Sequence, residues 1–135
     1  MKRALLLLSA LIALLGLNNV MAEERPDFLL DQTYVSETEG TIHYNIFVPD
    51  DYDGSRPFAL HLALPGWEGL YFQGVGADLR REALPYESSR YVKDLIVVSA
   101  QLDDWGMTSA RQAVALTEHL LEAYNIDPDR VYITG

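Results

Sequence analysis

The sequence contains no cysteine, which excludes disulfides, thiolate metal ligands and a cysteine nucleophile together. Basic residues are also scarce: 10 Lys and Arg stand against 20 Asp and Glu, a formal net charge of -10. A surface of that sign repels phosphate backbones and anionic lipid, so nucleic acid is not an expected partner. A long hydrophobic run occurs only at the start. Met1-Lys2-Arg3 is basic, Ala4 to Leu17 is almost wholly apolar, and Val20-Met21-Ala22 offers the small or neutral residues that a signal peptidase reads. The apolar stretch falls short of the roughly 20 residues of a membrane span. Residues 1–22 are therefore expected to be a secretory signal, and cleavage leaves 113 residues with a net charge of -12 and no stable membrane span. The expected location is secreted or periplasmic.

Beyond that segment the chain alternates between strand-like and helix-like patterns. Asp31 to Glu37 and Thr41 to Val48 are joined through Thr38-Glu39-Gly40, which predicts a β-hairpin. In its second run Ile42, Tyr44, Ile46 and Val48 share one face, the period of a half-buried antiparallel strand. Turn-forming residues fill 49–57, and Phe58 to Leu64 is then apolar at almost every position, as in a strand covered on both faces. Residues 65–76 form a non-periodic loop with four glycines and three large aromatics. A helix is expected within 77–93, interrupted or kinked at Pro85.

Asp94 to Gln101 is a second buried-strand candidate, followed by Leu102-Asp103-Asp104-Trp105-Gly106. Ser109-Ala110-Arg111-Gln112 matches a capping box, with Ser109 capping and Gln112 reaching back. Ala113, Val114, Thr117, Leu120, Leu121 and Tyr124 then recur at helical spacing, opposite Arg111, Glu118 and Glu122. Pro128 resists continuation of that helix, and Val131 to Thr134 reads as a third buried strand. No internal repeat is present.

The order of hairpin, strand, loop and helix, strand, helix, strand resembles the first half of an α/β-hydrolase. Phe47-Val48-Pro49, the Pro65-Gly66 strand exit, Leu95 to Gln101, and above all Tyr124-Asn125-Ile126-Asp127-Pro128 running to Gly135 look like the secreted esterases related to polyhydroxybutyrate depolymerases and feruloyl esterases. The resemblance covers roughly 41–135. It implies an α/β fold, an antiparallel hairpin leading into a mostly parallel sheet with flanking helices. It also implies that Gly135 is the first glycine of a Gly-x-Ser-x-Gly elbow, with serine, acid and histidine in that chain order beyond it. The chain is thus expected to be the N-terminal part of an exported serine ester hydrolase, inactive alone, with an apolar sheet edge left along its last strand. The same front half is similar to prolyl-oligopeptidase-type peptidases, and a non-catalytic envelope-binding domain on this scaffold is a further alternative.

Family members usually carry His-Gly where this chain has Pro65-Gly66. By position the backbone NH of Trp67 is the implied oxyanion donor, a fixed dipole that meets charge formed only in the transition state. Gly66, Trp67 and Glu68 are candidate substrate-binding residues, as are Asp104 and Trp105 at the end of a parallel strand. Asp104 and Trp105 form either a pocket wall or a solvated turn. His43, His61 and His119 are expected to be structural or solvated, and neither Ser99 nor Ser109 sits in an elbow. No cofactor or metal is called for, and the expected partner is a small-molecule or polymer ester; oligomeric state is left open. Glu68 to Gly74 resembles the recognition site of tobacco etch virus protease and is read as native sequence.

Overall fold

A computed structural model of the chain describes residues 29–65, 83–104 and 106–135. The hairpin is present as β1 (Leu29–Ser36) and β2 (Gly40–Phe47). Gly40 closes the turn at φ +75°, a conformation that strains any side chain, and Ser36 Oγ accepts from the amides of Thr38 and Glu39 at 3.4 and 3.2 Å. The pairing Leu29↔Ile46 slips to Gln32↔Tyr44, so β1 carries one extra residue. Asp31, in that bulge, adopts φ +48°. Its displaced amide donates to Asn45 Oδ1 at 2.8 Å. This explains a departure from the expected half-buried period of β2: Asn45 lies on the other face from Ile42, Tyr44 and Ile46, yet it too is buried.

β3 (Phe58–Ala63) is buried at every position and β4 (Leu95–Gln101) at all but its last, as continuous apolar runs require. They are followed by β5 (Ile126–Thr134), and the five strands order as β1-β2-β4-β3-β5. β2 pairs antiparallel with β4, whereas β3 pairs parallel with both β4 and β5. The sheet changes character at β4, and each parallel connection carries a helix.

The first of these helices, α1 (Ala83–Tyr91), ends two residues before the 77–93 expectation does, and residues 77–82 of that expectation lie outside the described residues. Pro85, where the sequence predicts an interruption or kink, lies within the described helical span. The second, α2 (Met107–Ala123), differs from the expectation at its start. Gly106 is the N-cap and donates no side-chain cap, while Ser109 already lies inside the first turn. The carboxylate of Asp104 takes the capping role: Oδ1 accepts from the amides of Gly106 at 2.8 Å and Ser109 at 3.1 Å. A charge two residues upstream meets the orphan amides and the positive helix end together, which a serine hydroxyl does less well. Gln112 reaches to Asp103 Oδ2 at 2.7 Å and Glu39 O at 3.3 Å, tying the helix to the hairpin turn.

α2 covers one sheet face, where Leu116 and Leu120 pack with Ile42, Ile46, Leu60 and Val98. The buried stripe of the helix is Ser109, Gln112, Ala113, Leu116 and Leu120; Val114, expected on it, is exposed. A smaller core of Ala59, Leu95 and Val97, with Phe47 against it, lies on the opposite face. Below the parallel strands Arg56 holds Asp94 at 2.9 Å and Asp51 at 3.0 Å while its guanidinium sits 4.3 Å from the Phe58 ring centre. Nearby, the amide of Asn125 donates to Tyr52 Oη at 2.7 Å, and Asn125 Nδ2 donates to Gly54 O at 2.8 Å.

β5 begins five residues earlier than expected and takes Pro128 into the strand. Its register jumps from Phe58↔Ile126 to Leu60↔Val131, so Pro128 falls in an irregular stretch where no ladder amide is needed. The strand is also less buried than its composition suggested. Tyr132 and Ile133 are more than half exposed, because β5 is outermost and pairs only with β3 among the described residues.

Candidate active site

The carboxyl ends of β3, β4 and β5 converge on one crevice, the side on which open α/β sheets bind ligands. Leu64 and Pro65 continue β3, Asp104 lies in the turn after β4, and Gly135 follows β5; with Ser109 and Ala113 of α2 they line a cavity of about 300 Å3. The amide of Leu64 donates to Thr134 O at 2.7 Å and draws the two strand ends together. A Cβ on Gly135 would stand 2.9 Å from Leu64 Cβ. Real Cβ atoms essentially never approach so closely, so this position favours glycine through space rather than through φ.

Of the candidate substrate-binding residues, Asp104 lines this crevice. Its carboxylate is engaged with the start of α2, and the amides of Gly106 and Ser109 hold its pKa below the usual aspartate value. Gly66, Trp67, Glu68 and Trp105 lie outside the described residues, as does the proposed signal segment 1–22.

Each histidine has a structural partner. His43 Nδ1 is 2.7 Å from Asp31 Oδ1 at the exposed bulge, and His119 stacks on Tyr34 with ring centres 4.1 Å apart. His61 is buried in β3 and touches two hydroxyls: Nδ1 is 2.8 Å from Ser88 Oγ on α1, and Nε2 is 2.8 Å from Thr134 Oγ1 on β5. Burial lowers its pKa from the ordinary 6.5. Ser109 Oγ donates to Asp104 O at 2.7 Å, and Ser99 Oγ is fully buried without a hydrogen bond. Neither has a histidine as its hydrogen-bond partner among the described residues. The link from His61 to the end of β5 was not anticipated, although a histidine inside Phe58 to Leu64 is a readable signal. A polar ring in a doubly covered strand needs partners on neighbouring elements.

No family model matches the sequence, and no curated protein does. Solved structures do. A thermostable esterase matches with a TM-score of 0.67 and 26% identity over 81% of this chain and 34% of that one. An esterase from Rhizomucor miehei, one of two fungal esterases studied for their substrate specificity, matches with a TM-score of 0.57 and 17% identity over 83% and 36%. Oligopeptidase B from Leishmania major matches with a TM-score of 0.54 and 15% identity over 78% and 16%. The chain thus spans about a third of the length of the two esterases and less of the peptidase. The strand order, the switch from antiparallel to parallel pairing at β4, the helices that follow β3 and β4, and these likenesses together identify the fold as part of an α/β-hydrolase fold.

Proposed function

We propose that this chain is the front part of an exported serine hydrolase that cleaves carboxylic esters. The observation that carries the reading is the end of β5. Gly135 sits at the carboxyl edge of the parallel strands, pressed on Leu64 so tightly that a side chain has no room, as the first glycine of a sharp strand-to-helix elbow requires. The esterase reading is preferred because the thermostable esterase shares 26% of its aligned residues, whereas the likeness to the oligopeptidase, at 15%, is one of fold.

In the whole protein a serine two positions beyond Gly135 attacks the ester carbonyl. A histidine takes the serine proton and returns it to the leaving alcohol, and water then hydrolyses the acyl-enzyme. The backbone NH of Trp67 is a candidate oxyanion donor, with Gly66 and Glu68 beside it and Asp104 and Trp105 on the facing loop. Residues 1–22 direct export, so the N-terminus of the exported protein is Glu23.

Hydrolysis of short-chain 4-nitrophenyl esters by the full-length protein tests the proposal. Turnover that is blocked by an organophosphate and lowered by Gly135→Ala is the expected result. Cleavage of prolyl peptides without ester turnover would select the peptidase. An apolar residue at the elbow position, with neither activity, would leave a non-catalytic domain.

A further inference from the structure

We infer that His61 is a positioning residue for this site: its uncharged ring clamps the end of β5 to β3 and α1, and so sets the turn that begins at Gly135. The inference rests on the hydrolase reading for its catalytic consequence, but the clamp is a matter of geometry. A neutral imidazole has one N–H and one lone pair, so it can donate to one hydroxyl while accepting from the other. Ser88 Oγ and Thr134 Oγ1 lie at 2.8 Å from its two nitrogens. Three elements, distant in sequence, meet on one ring. Thr134 is the residue immediately before Gly135, and its carbonyl already accepts from the amide of Leu64. With its side chain held as well, the strand end is fixed on both its ladder side and its face.

The surroundings favour the uncharged ring. His61 stands opposite Val97 on β4 and Tyr132 on β5, and burial lowers its pKa. The described charges on α1, Glu87 and Arg90, pair with each other at 3.3 Å, and Asp94 at the base of β4 is held by Arg56. An imidazolium donates from both nitrogens. The hydroxyl that had donated to the ring must then rotate its O–H away and accept instead, so protonation reverses the direction of one hydrogen bond in the Ser88–His61–Thr134 chain.

Two substitutions separate the ends of the ring. Asn places its amide near the Nδ1 position and Gln near the Nε2 position, so His61→Gln preserves the reach to Thr134 and His61→Asn the reach to Ser88. In the full-length protein His61→Asn and Thr134→Val are each expected to lower kcat on a 4-nitrophenyl ester about 10- to 100-fold with KM within about twofold, since small misplacements of reacting groups have effects of that size. His61→Gln is expected to retain most of kcat. An NMR readout on the wild-type protein needs no turnover: with 15N-labelled histidine and glycine, the Gly135 amide shift should follow the titration of the His61 ring. Equal loss in His61→Gln and His61→Asn, or a Gly135 signal indifferent to the ring, would overturn the inference. A coupled Gly135 signal in a protein that hydrolyses no ester would instead support the clamp and refute the ester-hydrolase reading.

Discussion

Asn45→Ala tests the account of the hairpin bulge. The substitution removes Oδ1, the acceptor 2.8 Å from the Asp31 amide, and leaves that amide unpaired in a strand whose partner has slipped by one residue. Asp31 already holds φ +48°, a left-handed conformation that a residue with a Cβ adopts at a disadvantage of roughly 1–2 kcal/mol. The Asn45 bond offsets that strain. Leaving a buried donor without its acceptor costs about 1–3 kcal/mol. Asp31 is exposed on its outer side, so water can reach part of the vacated position and the lower half of that range applies. A loss of about 1–2 kcal/mol corresponds to a fall in Tm of roughly 2–8 °C for a domain of 150–250 residues and about 4–16 °C for one of 60–100. Thermal unfolding followed by circular dichroism reads the first quantity, and amide hydrogen exchange locates it. The Asp31 amide should lose protection in Asn45→Ala while the amides near the hairpin turn keep theirs. An unchanged Tm with unchanged exchange at Asp31 would show that the bulge does not depend on Asn45.

Three other outcomes are expected. Leu116→Ala empties a fully buried site between α2 and the sheet and should destabilise the protein by about 2–5 kcal/mol in urea titration, whereas Val114→Ala, one half-turn away and exposed, should change little. Acidification should weaken the fold through His61. Its folded pKa lies below the unfolded 6.5, so the stabilisation is complete above pH 6.5 and declines as pH falls towards the folded value; the slope approaches but does not exceed about 1.4 kcal/mol per pH unit for one proton, and it should vanish in His61→Gln. Residues 23–135 expressed alone should bind a hydrophobic dye through the exposed Tyr132 and Ile133 of β5 and lack esterase activity, and Ile133→Lys should reduce dye binding; a monomer that melts cooperatively and binds no dye would contradict the exposed-edge reading.

Much of the architecture was readable from the order and period of apolar residues. Phe58 to Leu64 and Asp94 to Gln101 show unbroken apolarity, and these became the two strands covered on both faces. What escaped the pattern depends on single polar contacts between distant segments. Ser109 and Gln112 have the spacing of a capping box, but the competing carboxylate of Asp104 reaches the same amides from outside the helix, and Gln112 turns to the hairpin. Nothing local in Asn45 reveals that it meets a bulge 14 residues away. Pro128 marks the end of the helix and the apolar run starts only at Val131, yet an irregular register lets the strand begin before the proline. The same limit applied at the crevice. The glycine ending was visible in sequence, whereas its contact with Leu64 and the clamp at Thr134 required β3 and β5 to be neighbours.

That neighbour relation has a consequence for how the chain is made. β3 is the most enclosed strand of the sheet, yet both of its partners, β4 and β5, come after it in sequence. During synthesis the hairpin can close at once, while Phe58 to Ala63 keeps one edge open until Gln101 has emerged and the other until residues as late as Thr134 have. At about 5–20 residues per second that delay lasts roughly 4–14 seconds, far longer than a strand needs to pair once its partners are present. The strand that ends buried at every position thus carries, for those seconds, an unpaired apolar edge open to pairing with other chains.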